Sequence, residues 1–323
     1  MDSKNRIQTF VKNNQIGMVL IISLGLFVLT IVLNPKSFNV NAFGSILSLT
    51  SMLTIAAAGQ TLVVIADGID MSLGATMSMT ALLTVGILAG RSDALLFLAA
   101  LLAAVLVGGF IGFCNGLGSV KAGLPPMVVT LYISNVVTRL QYVITGGTPK
   151  FTSVPVAYKS FVTERLFQFL PVIFFFAATM YLLIFLLMNR TRYGQQIFLT
   201  GNNNRAAYLT GIRTTRLKML NYTVAGVLGG LAGFIGSANS GYINCGTFDG
   251  MTIDTIVAVV IGGTLLSGGK GSYAGTAAGA LLLIVLSNGL TVLSVSPSMK
   301  NLIMGVILIL LLAVYNRAKP VRQ

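Results

Sequence analysis

The sequence predicts an all-α integral membrane protein with ten transmembrane helices in two inverted five-helix halves. Three observations lead there. Of the 323 residues, 55% are hydrophobic and only 9% charged, with a mean hydropathy of +0.87, whereas a water-soluble chain keeps about a quarter of its residues charged. The charges are bunched between apolar runs, and about 20 apolar residues let a helix cross the hydrocarbon core. The runs also divide evenly around residue 168. An odd number per half gives two related halves opposite orientations, as in inverted-repeat transporters.

The runs lie at 16–33, 45–66, 71–90, 94–118, 125–144, 169–189, 219–240, 251–266, 271–293 and 299–315. The first follows Lys4, Arg6 and Lys12, but it is longer than a signal-peptide core. No small-x-small cleavage site precedes Asn34 and Pro35, so it reads as an uncleaved span. An even count of spans leaves both termini on one side. Assigning loops alternately gives the far side Lys36, Arg91, Arg139, Lys150, Lys159, Arg165 and Lys300; the termini side holds the other 14 of the 21 basic residues. The positive-inside rule makes that side the cytoplasm. The expected organisation is a cytoplasmic N-terminus 1–15, a first membrane half 16–168 with an outer loop 145–168, a second half 169–315 with a cytoplasmic loop 190–218, and a cytoplasmic tail 316–323. Val63-Val64-Ile65 and Val259-Val260-Ile261, each before a Gly-containing break, form a short echo between the halves. Glycines at four-residue spacing (Gly108, Gly112 and Gly116; Gly226 and Gly230; Gly229 and Gly233; Gly275 and Gly279) allow helices to approach closely, within one chain or at a dimer seam.

A net charge of +14 would suit a nucleic-acid binder. Here the basic residues sit at span ends with no interleaved aromatics, so no nucleic-acid partner is expected. There is no His, which removes imidazole catalysis and ligation. Cys114 and Cys245 lack metal-type spacing and fall near opposite faces, so neither a metal site nor a disulfide is expected.

Four segments carry polar information. In Gly59-Gln60-Thr61-Leu62-Val63-Val64-Ile65-Ala66-Asp67-Gly68-Ile69-Asp70-Met71-Ser72-Leu73-Gly74, two carboxylates flank a glycine between apolar spans. Gly68 suits a left-handed helix stop, and Asp70 or Ser72 can accept from the free N–H groups of the next helix. The same residues can instead line a solute path or inner gate. Pro125 and Pro126 suit a first helical turn, after which Thr130, Ser134, Asn135 and Thr138 form a polar stripe. Arg139 then lies about 8 Å from the outer end at helical rise, where it either pairs with an acid or snorkels to the headgroups. In the loop 190–218, Asn203 is a plausible N-cap for a short helix through Ala206, Ala207, Tyr208 and Leu209 that Gly211 stops. That helix either docks a partner or lies on the bilayer. Lys270 among glycines superficially suggests a phosphate loop. Gly271 follows it where Ser or Thr is needed, and Thr264 holds the earlier glycine's place, so no ATP site is expected.

At these four segments the chain resembles the permease subunits of the ribose/galactose-type ABC importers, which are bacterial carbohydrate importers. The pattern Gly-x-Thr-Leu-Val-x-x-x-x-Gly-Ile-Asp-Leu-Ser-Val-Gly is followed closely at 59–74. Pro-Pro-x-x-Val-Thr-Leu appears at 125–131, and a Thr-x-Gly-x-Pro-like piece at 145–149. Gly-x-Asn-x-x-Ala-Ala-x-x-x-Gly-Ile appears at 201–212, and the glycine-rich pattern from Asp254 to Ser272 is nearly complete. The resemblance implies a type II-importer-like fold, a second permease copy or homologous permease, cytoplasmic ATPase subunits that bind the ATP, and a periplasmic or extracellular solute-binding protein. It makes 201–212 the coupling helix, with Gly201, Asn203, Asn204, Arg205, Ala206, Ala207, Tyr208 and Gly211 meeting the ATPase. Two departures stand out: Asn204 and Arg205 occupy a stretch where the family often has Glu before the paired alanines, and Thr252 stands where it often has Glu.

The expected activity is non-catalytic transport of a monosaccharide-like solute inward through the bacterial inner membrane, by alternating access. The chain itself holds no cofactor, and membrane lipid surrounds it. Residues expected on the path or gate are Gln60, Asp67, Asp70, Ser72, Thr130, Asn135, Arg139 and Asp254. Arg139 and Asp254, both placed in the outer leaflet, are expected to form an ion pair between spans five and eight. An ion-coupled transporter is the competing class. Its ionisable groups would sit at mid-membrane, whereas the seven acids here lie near span ends. A nucleoside or furanose-signal permease is the other alternative, and no acid–base cluster supports a membrane enzyme.

Overall fold

The computed structural model describes residues 15–35, 39–146, 152–166 and 169–317. The expected N-terminal segment before residue 15, Thr148 and Pro149 of the outer loop, and the tail after Arg317 lie outside the described residues. Helices α1 (Gln15–Leu33), α2 (Val40–Ile65), α3 (Leu73–Leu88), α4 (Ala94–Gly116) and α5 (Pro126–Ile144) come first, and a π-helical turn Leu117–Lys121 extends α4. The expected outer loop folds into β1 (Thr152–Ser153), α6 (Val156–Thr163) and β2 (Arg165–Leu166), followed by β3 (Leu170–Pro171). The second part holds α7 (Val172–Arg190), α8 (Arg192–Asn202), α9 (Asn204–Leu209), α10 (Thr214–Ser240), β4 (Tyr242–Ile243), α11 (Met251–Ile261), α12 (Tyr273–Val292) and α13 (Pro297–Arg317).

Among the described residues, α1, α2, α4, α5, α7, α10 and α12 are long and apolar enough to cross a membrane. Two of the other expected spans fall short. Helix α3 has 16 residues and α11 has 11, which rise about 24 Å and about 16 Å against a core of about 30 Å. Helix α13 has 21 residues, a rise of about 31 Å. The runs 71–90 and 251–266 looked longer because apolar residues continue past each helix. Gly263, at φ 86°, already turns the chain away after α11.

Contacts sort the helix ends into two groups. At one end, the junction end, the close of α2 meets α8 and the 262–272 segment: Gly269 N donates to Ile65 O at 2.9 Å. At the other, the strand end, β1 pairs with β4 and β2 with β3, both antiparallel. There Arg165 clamps the start of α2, donating to Asn41 Oδ1 at 2.6 Å and to Val40 O at 3.2 Å. Tyr158 of α6 packs edge-on against Phe97 of α4 and donates to Phe234 O of α10.

The core is a backbone-to-backbone pair of α4 and α10. A Cβ on Gly108 would lie 2.3 Å from Gly226 O, and one on Gly112 would lie 2.1 Å from Tyr222 O. Both are inside contact distance, so only glycine permits this approach. The four-residue glycine spacing therefore serves packing within the chain. Val63-Val64-Ile65 and Val259-Val260-Ile261 both close helices at the junction end, so the echo joins two helices of the same direction and is not an inverted pair.

Candidate functional site

Three irregular segments interrupt the bundle, and the polar side chains gather around them. The first is residues 66–72. Helix α2 stops because Asp67 turns left-handed at φ 63°, and Gly68 N reaches back to Val63 O at 3.0 Å. Asp70 is fully buried. Its Oδ1 accepts from Ser72 N at 2.8 Å and Ser72 Oγ at 2.7 Å, and Asn115 Nδ2 lies 3.3 Å and 3.4 Å from its two oxygens. Asn115 also donates to Ser72 Oγ at 2.7 Å. A buried carboxylate is tolerable only when hydrogen-bonded, and here its partners come from the turn itself and from α4. Thr130 Oγ1 of α5 accepts from Met71 N at 2.9 Å and completes the holding of this turn.

The second segment, residues 241–250, enters the bundle from the strand end. Irregular backbone at membrane depth survives only where protein satisfies its polar groups, and α3 and α5 do so. Gly246 N donates to Gln141 Oε1 at 2.9 Å, while Gln141 Nε2 donates to Ala75 O at 3.3 Å. Phe248 N donates to Ser78 Oγ at 2.9 Å, and Ser78 Oγ donates to Asp249 Oδ1 at 3.0 Å. Gly74 N then donates to Thr252 Oγ1 at 2.9 Å. Thr252 thereby joins the first turn of α3 to the first turn of α11, so the two short helices meet N-terminus to N-terminus.

The third segment, residues 262–272, packs on the first at the junction end, and the end of α8 presses against both. A Cβ on Gly201 would lie 1.7 Å from Ile65 O and 2.6 Å from Gly269 N. Gly268 and Gly269 are left-handed at φ 74° and 73°, which lets their backbone turn over Asp67 and Asn202. Tyr193 of α8 donates to Asn221 Oδ1 of α10, and Asn221 Nδ2 reaches Leu62 O of α2 at 3.4 Å. Burial pushes the Tyr193 phenol well above its ordinary pKa, so it remains a donor. Helix α9 follows, N-capped by Asn203, whose Oδ1 accepts from Ala206 N at 2.9 Å. Ala207 is buried, whereas Asn204, Arg205 and Tyr208 are exposed, and Gly211 ends the segment at φ 89°.

The expected path residues do not form one cluster. Asp70, Ser72 and Thr130 come together at the first break. Asp67 instead pairs with Lys218 of α10 at 3.6 Å. Gln60 is fully buried on α2, and neither its amide oxygen nor its nitrogen has a hydrogen-bond partner. Asn135 and Arg139 lie on an exposed face of α5, and Asp254 occupies the first turn of α11. The expected Arg139–Asp254 ion pair does not form: Lys218–Asp67 is the one ion pair among the described residues. Similar depth did not suffice, because Arg139 is on the face of α5 turned away from the bundle. Cys114 and Cys245 are both free.

Asn115, Gln141, Ser78 and Lys218 were not singled out from the sequence, and Thr252 was noted only as a departure from the family pattern. Asn115 carried a signal: an amide in the apolar, glycine-rich stretch 94–118 is costly unless something pairs with it. Two cavities flank the first break. One, of about 140 Å³, is lined by polar groups from α9, α10 and the break. The other, of about 260 Å³, lies between Asp67–Ile69, the start of α5 and Leu266. Among the described residues no cluster of three or more acidic or cysteine side chains could hold a metal.

The family described as branched-chain amino acid transport system / permease component matches residues 42–312. The ribose import permease protein RbsC of Escherichia coli is 33% identical over 303 residues, 92% of each chain. RbsC of Bacillus subtilis is 32% identical over 291 residues, 89% of each chain. The autoinducer 2 import system permease protein LsrC of Yersinia pestis is 32% identical over 302 residues, 93% of this chain and 84% of its own.

Proposed function

This chain belongs to the ribose/galactose-type ABC permeases of the branched-chain amino acid transport system / permease component family, and we propose that it moves a monosaccharide-like solute inward by alternating access. It is a non-catalytic transport subunit. ATP is bound and hydrolysed on separate cytoplasmic ATPase subunits at the junction end, and the chain carries no cofactor. A solute-binding protein delivers at the strand end, and a second copy or a homologous permease completes the path within the lipid bilayer. The relatives named for ribose and autoinducer 2 import support a small sugar or sugar-like solute.

The observation that carries this reading is the position of Gly201. The segment expected to meet the ATPase abuts the end of α2 and the 262–272 segment with no room for a methyl group. A push on α8 and α9 therefore reaches the Asp67–Ser72 break without a soft intermediary. Two inverted halves and ten spans are supported by a repeated arrangement. Helix α2 (26 residues), the break 66–72 and short α3 have a counterpart in α10 (27 residues), the break 241–250 and short α11. The two breaks lie toward opposite ends, as inversion about an axis in the membrane plane requires. Both termini are then cytoplasmic, with the junction end inside. The exposed face of α5 supports a path between two copies: Tyr132, Asn135 and Arg139 form a helical stripe there, and an Asn and an Arg facing hydrocarbon are costly.

The test is uptake of D-ribose and D-galactose into proteoliposomes holding the chain with its ATPase and binding protein. ATP-dependent accumulation of either sugar is expected, with none from the chain alone under a proton gradient. Gradient-driven uptake by the chain alone contradicts the importer reading.

A further inference from the structure

The cavity of about 140 Å³ at the junction end differs in chemistry from the apolar surfaces around it. Six polar side chains line it: Asp67 of the first break, Ser119 of the π-helical turn, Asn204 of α9, and Lys218, Asn221 and Tyr222 of α10. Val63, Val120 and Pro126 supply the apolar remainder. At about 30 Å³ per water, the space holds a few waters or one small organic molecule. Lys218 is 16% exposed and meets Asp67 at 3.6 Å, beyond hydrogen-bond reach, so the ammonium donors remain available to an occupant. The carboxylate accepts, the ammonium donates, and the Asn204 amide and the unpartnered Ser119 hydroxyl do both, while Asn221 is committed to Tyr193 and Leu62. A polyol needs this mixture, since each of its hydroxyls both donates and accepts. The Asp67–Lys218 pair leaves the cavity without net charge, which disfavours a lone anion or cation.

We propose that this cavity is a release-side subsite for a single monosaccharide or similar polyol. The inference rests on the importer reading and deepens it. The occupant touches Asn204 on α9, Asp67 on the first break and Lys218 on α10 together. It therefore ties the segment expected to meet the ATPase to the break that segment moves. Solute accumulated on the release side then slows the next cycle.

The experiment uses the complete complex in inside-out vesicles, with Cys114→Ala and Cys245→Ser removing the native thiols and Ser119→Cys reporting on the cavity wall. Millimolar D-ribose or D-galactose is expected to slow N-ethylmaleimide labelling at least fivefold, with sodium phosphate having no effect. Adding Lys218→Met is expected to abolish the protection, measured as the ratio of that variant's own labelling rates with and without sugar. Val120→Cys reports the same wall if Ser119→Cys does not assemble. No protection by either sugar overturns the subsite, as does equal protection by phosphate or protection that persists in Lys218→Met. ATP-driven uptake measured in parallel separates the two claims. Uptake without protection sinks the subsite alone, and protection without uptake sinks the importer reading alone. Absence of both sinks both.

Discussion

The breaks after α2 and after α10 share a plan but are held by different means. Each follows a long helix and leads to a short one, and Thr252 joins the two short helices at their N-termini. The break 66–72 is fastened in part by its own Asp70 and Ser72, with Asn115 of α4 and Thr130 of α5 reaching in, and is then pressed from outside by α8 and the 262–272 segment. The break 241–250 is fastened at a distance, by Gln141 of α5 and Ser78 of α3, and its tip is open: a Cβ on Gly250 would touch nothing within 4 Å. On the proposed importer reading, the first break receives the force and the second follows α3 and α5. The shared contact at Gly74 and Thr252 is then where a movement of the first would be passed to the second.

The largest expected effect sets Gly201 against Gly250. Gly201→Val places carbon where Ile65 O already stands, and should destabilise the chain by about 3 kcal/mol, at the upper range of overpacking costs. Gly250→Ala should be silent. Thermal unfolding in detergent measures both, and a comparable loss at Gly250 would break the comparison. Next comes Asn115→Leu, which strips the buried Asp70 carboxylate of its partner on α4. Loss of a bond to a charged group predicts about 2–3 kcal/mol, read as a lower unfolding midpoint. Gln141→Leu leaves Gly246 N unpaired at the other break and removes the extra bond to Ala75 O, which keeps its helical partner. It should cost about 1–2 kcal/mol, since its bonds are between neutral groups. A larger loss at Gln141 than at Asn115 would reverse the assignment of which break is self-held.

The smallest loss, apart from the silent Gly250→Ala, is expected at Asp67→Asn. Asn tolerates the left-handed backbone, so the variant isolates the ion pair with Lys218. With Asp67 56% exposed, the pair contributes at most about 1 kcal/mol, and that vanishes in high salt. A salt-insensitive loss at this position would show that the carboxylate does something other than pair with Lys218.

How much of this the sequence revealed depends on whether the signal was local. The apolar runs were legible because a lipid-facing helix must be apolar along its length, and a helix stands at each of the ten positions. The short lengths of α3 and α11 were not, because Leu265 and Leu266 read as apolar span yet lie in the turn after α11. Asp70 and Ser72 were visible as a break, two residues apart. Their partner Asn115 is 43 residues from Ser72 and contributes no local pattern. Gly201 was named with the coupling segment through the resemblance, but its tight packing was not legible, because that needs α2, α8 and the 262–272 segment brought together. The Arg139–Asp254 pairing failed for a related reason: sequence fixes depth along a helix better than the direction a side chain faces.

The central claim is that ATPase action enters through α8 and α9 and moves the first break. The most direct test labels Ile69→Cys, in the break, with maleimide in the assembled complex lacking its native cysteines, with and without ATP and vanadate. The account predicts that trapping the nucleotide changes the Ile69→Cys labelling rate at least threefold. It also predicts no change of that kind when the ATPase is omitted. A labelling rate at Ile69→Cys indifferent to nucleotide, in a complex that still hydrolyses ATP, would contradict it.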